Sequence, residues 1–211
     1  MTMTAADLSA LQPALQAQHQ KRFLNVGCGS AGPERLPECF QEPSWQQIRL
    51  DINPAVKPDI IASLTDLSAV DTNSVDAVFS SHNIEHLYLH ETVIALKEMH
   101  RVTRPGGFLL ITLPDLQQIA QLIAQGHLSK EIYRSPVGPI TALDMLYGHQ
   151  ASVEQGNHYM AHKSGFDQHS LGQALLNAGF SETRVTADAH YNLWGYATKA
   201  VTTGLTANRH A

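Results

Sequence analysis

The sequence predicts an α/β domain: a doubly wound, mostly parallel sheet with helices on both faces, three layers deep. Three observations carry that expectation. Short apolar runs alternate with stretches of helical spacing from residue 23 to residue 113, the first run leads into a glycine turn, and the second ends on an aspartate. Strands and helices in alternation imply parallel strands joined by right-handed crossovers, with a ligand crevice at the carboxyl ends of the strands.

Residues 5 to 20 mix Leu8, Leu11 and Leu15 with Ala and Gln, the pattern of an amphipathic helix interrupted at Pro13, so residues 1–20 read as an N-terminal helical segment. The main domain occupies 21–200. Its first strand is Phe23 to Val26 and its second is Gln47 to Leu50, ending at Asp51. Between them Pro33, Pro37 and Pro43 leave room only for a short, irregular helix. Asp59 to Ala62 and Val75 to Ser80 are the third and fourth strands. Val93, Ile94, Leu96 and Met99 share a face of a helix from His90 to Val102, and Arg104 to Gly107 stops it before the strand Phe108 to Leu113. A helix to Ala124 follows Asp115, and residues 126–165 then lose periodicity and read as an inserted cap or loop. Gln168 to Asn177 is again helical, closed by Ala178 and Gly179, before strands at Thr183 to Ala187 and Trp194 to Thr198. Residues 201–211 read as a tail.

Composition narrows the function classes. A formal net charge of -5, with no run of Lys or Arg, argues against a partner held through phosphates, so no nucleic acid is expected. Only Cys28 and Cys39 occur, which fits a reducing cytoplasm without a disulfide framework. No window reaches the roughly 18 apolar residues of a membrane span, and no basic-then-apolar leader is visible, so a soluble protein with no membrane partner is expected.

The chemistry-bearing stretch is Phe23 to Ser30. Gly27 and Gly29, spaced by Cys28, let the backbone turn tightly and approach a ligand while its N–H groups point above the sheet. Asp51, at the end of the second strand, can accept both hydroxyls of a ribose diol. Two other patterns compete. Gly27 to Gly32 satisfies G-x-G-x-x-G, as a nicotinamide-dependent oxidoreductase would require, but Pro33 and Pro37 stand where its long helix should open. His82 to His86 satisfies H-x-x-E-H, with His90 one turn on, but the pattern follows directly on a strand, so His82 and His86 are not expected on one helix and no metal is expected.

The blocks Leu24–Gly29, Leu50–Pro54, Val75–Leu87 and Leu96–Ile111 together resemble the class I S-adenosylmethionine-dependent methyltransferases, in the small bacterial form similar to the type 11 methyltransferase domain. His162–Asp167, a helix and Ala178–Phe180 look like the end of that family. The resemblance implies a Rossmann-like, mostly parallel seven-stranded sheet with an antiparallel edge strand. It implies S-adenosylmethionine as cofactor and S-adenosylhomocysteine as product. Gly27, Cys28 and Gly29 would line the methionine moiety, Asp51 would hold the ribose, and Ile52 would lie against adenine. Ser63 and Leu64 occupy the adenine-amino position, where the family often has an acidic residue before the apolar one, and Asn25 replaces an acidic residue before the glycines. Ser81 and His82 would border the cofactor through backbone atoms.

The acceptor is expected to be a small molecule or glycan, since Ser80–Asn83 lacks the Asn/Asp-Pro-Pro-aromatic pattern of base-amine methylases. A hydroxyl acceptor would need a general base, for which His82, Glu85, Asp115 and His162 are the candidates. His149, His158, His162, Lys163, Tyr147 and Tyr159 gather in the inserted region, either as pocket walls or as surface residues. A protein that binds S-adenosylmethionine without chemistry is the alternative function, motivated by Asn25 and Ser63. Oligomeric state is left open.

Overall fold

The computed structural model describes residues 20–135 and 138–201, so the expected N-terminal helix and the tail beyond Val201 lie outside the described residues. β1 (Lys21–Val26), β2 (Trp45–Asp51), β3 (Ile60–Ile61), β4 (Val75–Ser81), β5 (Thr103–Pro114), and two later strands build one seven-stranded sheet. β1 to β5 run parallel, in the order β3-β2-β1-β4-β5. The chain order thus reverses between β1 and β4, and a ligand crevice opens at such a switch point. The single antiparallel strand, Asn192–Thr198, pairs with β5, and Glu182–Ala187 pairs outside it.

The two faces of the sheet differ in how they are covered. Leu24, Val26, Val78, Leu109, Ile111 and Leu193 point to one side, where the helices α2 (Leu89–Val102) and Gln168–Asn177 bury them. Gly195 lets the second of these helices approach, since a Cβ there would stand 2.8 Å from Ile111 and 3.3 Å from both Leu171 and Leu175. Phe23, Ala77 and Phe79 point to the other side and gather around Phe40 of α1 (Glu38–Gln41). Phe40 stacks on Phe23 with ring centres 4.3 Å apart. The prolines between β1 and β2 do hold this connection to one 3-10 turn, Pro33–Arg35, and the four residues of α1.

Arg104 to Gly107 leave the ladder: pairing jumps from Val75 opposite Thr103 to Ala77 opposite Phe108. Arg104 closes this excursion on Asp76 at 2.6 Å. After α3 (Leu116–Ala124), the stretch expected as cap or loop contains a hairpin of β6 (Glu131–Ser135) and β7 (Gly138–Thr141), then α4 (Ala142–Tyr147) and α5 (Gln150–Glu154). Ile119, Ile140, Ala142 and Met145 give it a small core of its own. α6 (Gln168–Asn177), β8 (Glu182–Ala187) and β9 (Asn192–Thr198) follow. No helix among the described residues is long and apolar enough to cross a membrane.

Candidate active site at the carboxyl rim

The glycine turn is set by its neighbours. Gly27 and Gly29 take left-handed φ of 62° and 55°, and a Cβ on Gly27 would collide with Oδ1 of Asn83. Asn83 is fixed there because its amide donates to Val26 O and Ser81 O, both at 2.9 Å, tying the ends of β1 and β4 together. The Gly29 N–H donates to Asp51 Oδ2 at 2.9 Å, and the Asn53 N–H donates to Oδ1 at 2.8 Å. Arg49 supports the turn from below, donating to Gly29 O at 2.6 Å and to Val56 O and Lys57 O at 3.2 Å. Each Asp51 oxygen keeps a further lone pair for a ligand. Cys28 is buried, its N–H bound to Leu50 O at 3.0 Å, and burial pushes its thiol up, which makes it a neutral lining group.

Ile52 is half exposed beside the turn. Ser63 closes a local turn with Thr65 at 2.8 Å, while Leu64 packs against the main core. Asn25 is buried within β1, paired in register with Arg49 and Phe79. Arg49 and Asn83 escaped the sequence reading. Arg49 lies two residues before Asp51 on a strand, which could have drawn attention; nothing local marks Asn83.

The exit of β4 is built differently. Ser81 pairs with Thr112, and the His82 N–H donates to Thr112 O at 2.8 Å. His82 takes a φ of 52°, which ends the strand, and the 3-10 turn Ile84–His86 follows. His82 and His86 therefore do not share a helix, as the sequence suggested. The His82 side chain is 45% exposed, and its Nδ1 lies 3.3 Å from Oε1 of Glu85, whose side chain is 1% exposed. Desolvation opposes charge on both, but their mutual attraction outweighs it: His82 is held above its ordinary value and Glu85 below. His86 and His162 join this cluster, their rings 4.9 Å apart. Burial pushes His162 down despite the charge of Glu85.

Asp115 lies apart in role. Its carboxylate caps α3 by accepting from Gln117 N at 2.9 Å, and accepts from Gln118 Nε2 at 2.9 Å. Among the side chains that the sequence gathered in the inserted region, that of His162 joins the cluster. His149 bonds Ser152 at 2.8 Å, Lys163 lies over the Tyr88 ring, and Tyr147 and Tyr159 are exposed.

Residues 24–111 match the family model described as a methyltransferase domain, from β1 to the middle of β5. Over these residues, less than half of the chain, the sequence is similar to that domain. S-adenosylmethionine is the cofactor this domain implies. The matched residues take in the glycine turn, Asp51 and the His82–His86 turn, but not Asp115 or His162. No curated protein matches the chain. Among solved structures, a protein from Pyrococcus horikoshii matches with a TM-score of 0.58 at 16% identity, covering 92% of this chain and 90% of its own. A SAM-dependent methyltransferase from Archaeoglobus fulgidus matches at 0.55 and 14%, covering 90% and 92%. Another, from Methanosarcina mazei, matches at 0.56 and 16%, covering 90% and 98%. At these identities the likeness is one of fold, and it extends past the matched family region to the whole α/β domain.

Proposed function

We propose that the protein transfers the methyl group of S-adenosylmethionine to a small-molecule or glycan-type acceptor. The observation that carries this reading is Asp51, whose carboxylate is held in place by the Gly29 and Asn53 N–H groups with lone pairs left for a ribose diol. Gly27, Cys28 and Gly29, with Asn25 behind them, border the methionine end; Ile52, Ser63 and Leu64 border adenine; Ser81 and His82 close the remaining side. In the transfer the acceptor's nucleophilic atom bonds to the methyl carbon in line as the carbon–sulfur bond breaks. The electron pair leaves with sulfur to give S-adenosylhomocysteine, and the acceptor proton passes to solvent or a side chain. The protein's part is alignment, which supplies several kcal/mol.

Of the four general-base candidates, Asp115 is committed to its helix cap, Glu85 is buried and His162 is partly buried with Nδ1 bound to Met145 O, whereas His82 is the exposed group. His82 is therefore assigned to the acceptor side. An acidic net charge and the absence of a basic run support an acceptor that is not a nucleic acid. A cytoplasmic setting belongs to the same reading, supported by two cysteines without a disulfide.

Calorimetric titration with S-adenosylmethionine tests the reading. Wild type should bind one equivalent, and Asp51→Ala should weaken binding about 100-fold, close to 3 kcal/mol. Labelled methyl should then pass to a member of a sugar and small-alcohol panel. No heat of binding to wild type would sink the proposal, and binding without transfer to any acceptor would leave a cofactor-binding protein instead.

A further inference from the structure

Glu85 is the most conspicuous polar group outside the cofactor turn. Its side chain is buried; His82 Nδ1 pairs with Oε1 at 3.3 Å without making a hydrogen bond, and Oε2 has no hydrogen-bond partner. A buried carboxylate in that state needs a cation or a proton donor close by. Around it stand two imidazoles whose tautomers can be deduced. His86 Nδ1 lies 3.2 Å from Ala161 O, and His162 Nδ1 lies 2.9 Å from Met145 O. A carbonyl oxygen only accepts, so each Nδ1 carries the hydrogen, which leaves Nε2 as the ring atom able to offer a lone pair. One candidate ligand atom from each of Glu85, His86 and His162 lies within 4.8 Å of the others.

The backbone holds this arrangement before any ligand arrives. The N–H groups of Lys163 and Ser164 donate to Glu85 O at 2.8 and 3.2 Å, and Ser164 Oγ reaches Ile84 O at 3.4 Å. The turn after β4 and the segment before α6 are thus docked side by side, with the three side chains in the seam.

We propose that Glu85, His86 and His162 form a binding site for one divalent transition-metal ion of the zinc class. Two imidazole nitrogens and one carboxylate oxygen suit zinc, cobalt or nickel in preference to magnesium or calcium, which favour all-oxygen sets. An Nδ1–H bound to a backbone carbonyl is the usual outer support of a metal-ligating histidine, and both histidines have it. Three protein ligands leave a fourth position open, next to the exposed His82, for water or another oxygen ligand. The site goes beyond the methyltransferase reading and does not depend on it. It differs from the sequence expectation of no metal, which weighed His82, His86 and His90 together and not His162.

Cobalt titration of the chelator-treated full chain tests the proposal. Wild type should take up one Co²⁺ with visible d–d absorption, which Zn²⁺ then abolishes. Glu85→Gln and His162→Gln should each weaken Co²⁺ binding roughly tenfold or more, and His158→Gln, at an exposed histidine outside the cluster, should change nothing. No saturable one-equivalent binding by wild type, or undiminished binding by either cluster variant, overturns the site. Should a variant fail to fold, modification of wild type by diethyl pyrocarbonate gives the answer without substitution. Zn²⁺ should protect His86 and His162 and leave the exposed His158 and His190 reactive; equal modification of all four with and without Zn²⁺ overturns the proposal.

Discussion

On the β1–β2 side of the carboxyl rim, polar groups find partners within the protein: Asp51 accepts two backbone N–H groups and Arg49 donates to three carbonyls. On the β4 side, Glu85 keeps both oxygens without a hydrogen bond, and Ser80 Oγ and Thr112 Oγ1 are buried without partners. The first side is finished by its own backbone and presents a rigid edge to a ligand. The second holds buried polar atoms without hydrogen bonds, with His82 Nδ1 at 3.3 Å from Glu85 Oε1 as its charged pairing. Preorganised contacts add to fold stability, whereas a buried charge without full pairing subtracts from it, so substitutions on the two sides should move stability in opposite directions.

The largest effect should come from Gly27→Ala. The residue sits at a φ of 62° with Asn83 Oδ1 in the space a Cβ needs, so left-handed strain and displacement of Asn83 combine to cost about 2–3 kcal/mol. Chemical denaturation reads this directly. Loss of S-adenosylmethionine binding should accompany it, because the displaced amide ties β1 to β4. A smaller loss is expected for Arg49→Met, which strips the donors from three loop carbonyls while leaving Asp51 in place. Stability should fall by about 1–2 kcal/mol, and cofactor affinity about tenfold. Unchanged affinity would show that the Gly29 turn holds without its support.

Glu85→Leu should act in the opposite sense. Replacing a buried, incompletely paired carboxylate by an apolar side chain of similar size is neutral or stabilising in other proteins. The metal-free variant should therefore melt a few degrees above wild type, about 1 kcal/mol. A large loss of stability would mean that Glu85 is structural, and the contrast between the two sides would collapse.

How much of this was legible in the sequence follows the same division. β1, β4 and β5 were readable because their apolar runs are buried on both faces, and the turn at Gly27 with Asp51 was readable because its signals are local to one strand end each. β2 begins at Trp45, earlier than its apolar pattern suggested, because Lys21 and Arg22 of β1 pair with Trp45 and Gln46, and Trp45 packs against Phe23 and Phe40. The 126–165 region hid its hairpin because β6 and β7 have few buried positions, and its small core is assembled from α3, β7 and α4. The Glu85 cluster was hidden for a stronger reason. His162 is brought to it by backbone hydrogen bonds from Lys163 and Ser164, and a main-chain contact leaves no trace in residue type.

An ordinary ion pair on α2 provides the scale against which Glu85 should be judged. Glu98 on α2 accepts from Arg101 Nε at 2.7 Å and Nη2 at 2.8 Å, and from Leu67 N at 3.0 Å. Arg101 first, opposed by partial desolvation and helped by the Leu67 N–H, holds the Glu98 carboxyl below its ordinary value. A carboxylate whose folded value is depressed contributes stability above its unfolded value and loses it as pH falls through the folded one. Wild type should therefore exceed Glu98→Gln in melting temperature at about pH 6–7, by no more than about 1 kcal/mol given its partial exposure, and the gap should close on acidification below the ordinary carboxylate range. High salt should shrink the same gap at neutral pH. A gap constant from neutral to acid pH would mean that Glu98 contributes through hydrogen-bond geometry alone, since a neutral glutamine or a protonated glutamate would then serve Arg101 and Leu67 equally well.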